Sequence, residues 1–130
     1  MKAVLIVEGA NDEKQIKKAF NNDEDIITLV TEGTKMNCVI EAEIENYLRQ
    51  GVKAYILSDP DKAGDTLAKM VQERFPDVPR LNVNVEDCGY FTGKKMKAGI
   101  EYASYDFLKE LISPLIGRYF ERKKYPINWD

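Results

Sequence analysis

Three short apolar runs, Ala3–Val7, Ile26–Val30 and Lys53–Leu57, recur through the first half of the chain. Each is far shorter than the ~20 apolar residues of a membrane span. Each is also too continuous to leave one face wet, so the runs suit strands buried on both faces of a parallel sheet. A fourth run, Leu81–Val85, alternates apolar and polar residues, as a strand with one wetter face or an edge position does.

Helical patterns lie between these runs. Ile16, Ala19 and Phe20 share one helical face; Met36, Val39, Ile40, Ile44, Tyr47 and Leu48 share a second; Leu67, Met70, Val71 and Phe75 share a third. Asn11, Asp12 and Glu13 mark the start of the first helix, while Gly51 and Pro76 stand where the second and third should stop. Strand and helix alternate throughout, which predicts a doubly wound α/β domain.

Residues 86–98 hold Gly89, Gly93 and Lys94, Lys95 and Lys97 without periodicity, and read as a long loop. Ser104 then caps a helix carrying Phe107, Leu108, Leu111 and Ile112. Ser113-Pro114 restarts or kinks it, and Leu115, Ile116, Tyr119 and Phe120 continue its apolar face, either over the sheet or against a second chain. The expected organisation is one domain, 1–112, with residues 113–130 as its C-terminal helical extension.

Composition narrows the function classes. The 130 residues carry 19 Lys and Arg against 22 Asp and Glu, a net charge of −3 that argues against coating nucleic acid by charge alone. The basic residues nevertheless cluster, at Lys94, Lys95 and Lys97 and again at Arg118, Arg122, Lys123 and Lys124. Such knots receive phosphates or simply sit in solvent. Cys38 and Cys88 lack the spacing of a zinc site or a disulfide framework and are expected as reduced thiols. No targeting segment or membrane span is read, so the expected location is cytoplasmic.

The acids at the strand ends carry the chemistry. Glu8 closes the first run and Asp59-Pro60-Asp61 closes the third. If those strands are neighbours, three carboxylates meet at the C-terminal edge of the sheet, where such folds bind their ligands. Neither element is decisive alone, because Asp61 also suits the N-cap of the helix beginning near Ala63. Together their repulsion needs an offset. The chain has no histidine, so the offset is a hard, oxygen-liganded cation rather than zinc. Mg2+, with Mn2+ as a substitute, fits one or two carboxylates and substrate phosphates. Asp65, one turn beyond Asp61, is either an outer-shell ligand or a solvated helix residue.

These residues resemble the Toprim family, whose hallmark is a glutamate after the first strand and Asp-x-Asp after the third, here Glu8, Asp59 and Asp61. Val7-Glu8-Gly9 with Asp12, the turn Thr31-Glu32-Gly33-Thr34, Asp59 to Gly64, and Gly99-Ile100-Glu101-Tyr102-Ala103-Ser104 are similar to the ribonucleases that mature 5S ribosomal RNA. Tyr102 stands where those enzymes usually carry histidine. The resemblance implies a Rossmann-like sheet in the order 2-1-3-4 and Mg2+-dependent phosphodiester hydrolysis on nucleic acid, RNA before DNA. Asp59 and Asp61 would hold the ion and Glu8 would act as general base or acid, or share a second ion, with water as nucleophile. Glu101 would complete the site from the far side or merely precede the next helix. Lys94, Lys95 and Lys97 would grip flanking phosphates and Tyr90 would stack on a base.

Two other readings compete. One is an accessory nucleic-acid-binding domain that needs a protein partner or a second copy. The other is a phosphoryl-accepting receiver, which wants two acids after the first strand and a lysine after a fifth; Glu8 stands alone and no fifth strand is evident.

Overall fold

The computed structural model describes residues 1–122. β1 (Ala3–Val7), β2 (Ile26–Val30) and β3 (Lys53–Ile56) form a parallel sheet in the order β2-β1-β3. Ala3 pairs with both Ile26 and Lys53, so the three strands end level. All five residues of β1 are fully buried, as its near-continuous apolar sequence requires of a central strand.

Alternation along β1 sorts two cores. Val4 and Ile6 pack with Leu29, Ala54 and Ile56 beneath Ile40 and Ile44 of α2 (Cys38–Arg49) and Leu67 and Val71 of α3 (Lys62–Arg74). Leu5 and Val7 face the other way, against Ile16 of α1 (Ala10–Ala19) and Leu108 and Ile112 of α5 (Tyr105–Ile112). The connection β1-α1-β2 runs one way along the sheet and β2-α2-β3 runs back across β1. Right-handed crossovers therefore place α1 and α2 on opposite faces, and a crevice opens between the C-terminal ends of β1 and β3.

The fourth strand is not formed. The chain does run beside β3 in the fourth position, where Ile56 N–H donates to Pro79 O (2.8 Å) and Leu81 N–H to Ile56 O (2.8 Å), but pairing stops at a single parallel bridge between Ile56 and Arg80. Two local features explain this. Pro79 has no N–H to give a ladder. Asn84 is diverted into capping a short helix, α4 (Val85–Cys88), where the Asp87 carboxylate accepts from Asn84 N–H (2.9 Å).

The expected loop at 86–98 is also structured. After α4 comes an antiparallel hairpin of β4 (Gly89–Phe91) and β5 (Met96–Ala98). Gly93, at φ 94°, takes a left-handed position in the four-residue connection 92–95, across which Thr92 N–H donates to Lys95 O (3.0 Å). Ser104 caps α5 as expected, its Oγ accepting from Phe107 N–H (3.0 Å). Ser113–Ile116 continues as a single 3-10 turn that ends at Gly117, φ 71°. Leu108 and Ile112 join the core on the Leu5 and Val7 side of the sheet and Ile116 is buried, while Tyr119 on the same apolar face is 85% exposed. Lys123 and Lys124 lie outside the described residues.

Candidate active site

The level strand ends set the geometry. Glu8 follows β1 directly. The Thr31-Glu32-Gly33 turn follows β2 and is tied to that strand end: Thr31 N–H donates to Val7 O (2.9 Å), Gly33 N–H to Glu8 O (3.3 Å), and the Thr31 hydroxyl to Gly33 O (2.6 Å). Glu32 holds a left-handed φ of 55°, uncommon for a residue with a side chain.

Asp59-Pro60-Asp61 is fixed from three sides. Asp61 N–H donates to Asp59 O (2.9 Å) across the proline. The Asp61 carboxylate caps α3 by accepting from Gly64 N–H (2.7 Å). Arg80 donates to Asp59 O (2.8 Å). Gly64 packs so close that a Cβ there would lie 1.8 Å from Asp59 O. Opposite, the 3-10 turn Ile100–Tyr102 approaches, and Ile100 N–H donates to Asp59 Oδ1 (2.8 Å).

The resulting cleft, about 470 Å³, is lined by six carboxylates: Glu8, Asp12, Glu32, Asp59, Asp61 and Glu101. No lysine or arginine lines it, and none of the six forms an ion pair among the described residues. Their electrostatics show the cost. Burial, then the charges of Asp59 and Asp61, pushes Glu8 above its ordinary range. Burial pushes Asp59 up, opposed by the Ile100 amide and reinforced by Asp61 and Glu101. Asp12, 7% exposed, is pushed up to about 6 by burial and then by Asp59, although it accepts a hydrogen bond from Gly9 N–H (3.1 Å).

Residues 3–86 match the Toprim domain family. The chain belongs to the Toprim family. Ribonuclease M5 1 of Ligilactobacillus salivarius (strain UCC118) is 31% identical over 116 residues, covering 88% of this chain and 58% of that protein. Ribonuclease M5 of Mesoplasma florum is 30% identical over 132 residues, covering 98% and 69%. This Toprim chain thus spans 58% to 69% of the length of these two relatives. Among solved structures, a small TOPRIM domain protein from Bacillus stearothermophilus shares the fold, with a TM-score of 0.65 at 21% identity over 86% of each chain.

Within this Toprim domain, Glu8, Asp59, Asp61 and Glu101 come together. Asp65 does not join them: its carboxylate pairs with Arg80 (2.6 Å). Asp12 and Glu32 belong to motifs that carry the family resemblance but not to the expected site, and both line the cleft. Their signal was present, since each sits in a segment that follows a strand end, but Asp12 reads equally well as an ordinary first-turn acid. Tyr90 and Lys97 are cross-strand partners on the hairpin. The Tyr90 ring meets Tyr102 edge-on at 4.8 Å. The Tyr102 phenol, pushed up to about 12 chiefly by Glu101, stays protonated at neutral pH. Lys94, Lys95 and Lys97 are exposed and make no ion pair among the described residues. Of the other basic knot, Arg118 pairs with Asp23 and Asp25 and Arg122 with Glu110.

Among the described residues no three acids converge as a ready-made metal cage. All the donors are oxygens, and Mg2+ asks for only one or two carboxylates while keeping waters and taking phosphate oxygens. No described helix is long and apolar enough to cross a membrane.

Proposed function

We propose that this chain is a divalent-metal-dependent nuclease that hydrolyses phosphodiesters in structured RNA, with DNA the lesser substrate. The observation that carries this reading is the cleft lined by six carboxylates and no cation. So much unpaired like charge at a sheet edge is costly unless a cation binds there. The ribonuclease M5 relatives support an RNA substrate and a cytoplasmic setting.

Asp59 and Asp61 would hold Mg2+, or Mn2+ in its place. Bound there, the ion would neutralise charge on the phosphate and lower the pKa of a water. Asp59 is positioned by the Ile100 amide and Asp61 by its bond to Gly64, so both enter the cleft already oriented. Glu8, its carboxyl raised by burial and by both aspartates, takes the proton from the attacking water and returns one to the leaving oxygen. Glu101 and Asp12 complete the acidic wall. Lys94, Lys95, Lys97 and Tyr90 on the hairpin engage phosphates and a base beside the scissile bond.

The test is to incubate purified protein with labelled RNA and DNA hairpins and duplexes in Mg2+, Mn2+ or EDTA. Cleavage is expected with either metal, faster on structured RNA, and lost in EDTA. Glu8→Gln and Asp59→Asn should each lower it at least ~100-fold, the scale of a lost general base. No cleavage of any substrate would overturn the nuclease, and binding without cleavage would leave the accessory domain.

A further inference from the structure

A second recess, about 530 Å³, opens on the outer side of α1 and has the opposite character from the acidic cleft. It is lined by Lys14, Lys17, Lys18, Asn21, Asn22 and Tyr105, without a carboxylate among its walls. Lys14, Lys17 and Lys18 fall on one helical face by their i, i+3, i+4 spacing. All three are exposed, and only Lys17 has an ion pair among the described residues, a loose one to Glu13 (3.7 Å). Tyr105 is 44% exposed. The recess therefore offers three cationic donors, two amides and an aromatic ring, the set that receives a phosphate backbone and a base.

Its position couples it to the cleft. Asn11 and Asp12 line the acidic cleft from the first turn of α1, and Lys14 and Lys18 line the recess from the next turns. Asp12 and Lys18 are six residues apart, about 9 Å along the axis at 1.5 Å per residue. On the facing segment Glu101 lines the cleft and Tyr105 lines the recess. Gln15 fastens the two elements by donating to Ala103 O (2.7 Å). Two shared and mutually fixed elements thus carry an acidic cleft and a basic recess side by side.

We infer that the Lys14-Lys17-Lys18 recess is a second nucleic-acid site, which binds backbone phosphates of the polynucleotide a few nucleotides away from the bond in the acidic cleft. This rests on the proposed nuclease reading for the identity of the ligand. With the hairpin lysines it gives the strand two basic supports. Lys17 and Lys18 also lie in the last turn of α1, where cations offset the negative end of the helix dipole. Lys14 stands a turn earlier, where that role fades.

The test uses the full chain with Lys14, Lys17 and Lys18 all changed to Ala. Fluorescence anisotropy would follow a labelled RNA hairpin, with Ca2+ replacing Mg2+, across a range of salt. Loss of the recess should weaken binding at least ~10-fold near 0.1 M salt and lower the slope of log K against log salt by about 2. The melting temperature should stay within a few degrees of wild type. Unchanged affinity and slope would overturn the inference, and a lowered melting temperature with unchanged binding would reduce the lysines to helix stabilisers. Wild-type protein that binds with a lysine-dependent slope but cuts nothing in Mg2+ would sink the nuclease and leave the recess standing.

Discussion

Asp12 shows how a residue of ordinary helical grammar becomes part of a site. Its carboxylate bonds Gly9 N–H at the start of α1, yet it is almost wholly buried and shares the cleft with five other acids. Its carboxyl is raised from an ordinary 3.8 to about 6. Between those values the folded state holds more protons than the unfolded one, so stability falls as pH rises through that window. Glu8 and Asp59 shift in the same direction and add to the effect. In EDTA the melting temperature should therefore fall from pH 4 to above pH 6. Asp12→Asn should flatten that fall and raise the melting temperature at pH 7.5. An unaltered pH profile would reduce Asp12 to its cap. The three hallmark acids were legible because each terminates an apolar run. Asp12 was not, since a first-turn acid needs no site to explain it.

At the scale of elements, Gly64 decides where the Asp59-Pro60-Asp61 loop can lie. It occupies the first turn of α3, where alanine is ordinarily worth about 1 kcal/mol more than glycine. Here the added methyl meets Asp59 O at 1.8 Å, which is backbone and has no rotamer to yield. The buried Ser58 hydroxyl holds the same junction by donating to Gly64 O (3.1 Å). Gly64→Ala should thus destabilise by about 1–3 kcal/mol, as overpacking does, and should lower cleavage more than Arg80→Ala, which frees one carbonyl and one exposed carboxylate. Thermal melts and cleavage rates of both variants check this; a stabilised Gly64→Ala would refute the close contact. The failed fourth strand belongs to the same scale. Leu81, Val83 and Val85 have the right period, but a ladder also needs donors, and Pro79 withholds one while Asn84 and Asp87 satisfy each other locally. The hairpin escaped notice for a related reason: its strands are three residues each, too short to show a period.

Over the whole molecule, three strands of the sheet, its helices and the edge where the acids gather could be read in advance because they follow from the long-range burial that a strand order 2-1-3 imposes. What the last residues contribute could not be read from periodicity, since the apolar face of Leu108 to Phe120 suits a sheet or a partner equally well. The structure gives Leu108, Ile112 and Leu115 to the core beside the sheet and leaves Tyr119 85% exposed. Ile116 is 3% exposed, so burial continues into the extension past residue 112. Gly117 then turns the chain so that Arg118 reaches Asp23 and Asp25 in the loop before β2. The pairs are exposed to solvent and screened, so they add little, whereas burying Ile116 contributes about 1.5–3 kcal/mol. A chain ended after residue 112 should accordingly melt several degrees below one ended after residue 122. Ile116→Ala in the longer chain should reproduce most of that loss, and Arg118→Ala little of it. If the two truncated chains melted together, residues 113–122 would add nothing to the stability of the fold. Because α5 packs on α1, and α1 on the Ile100–Tyr102 turn, the shorter chain should lose cleavage activity along with stability, through Glu101 and the Ile100 amide that holds Asp59.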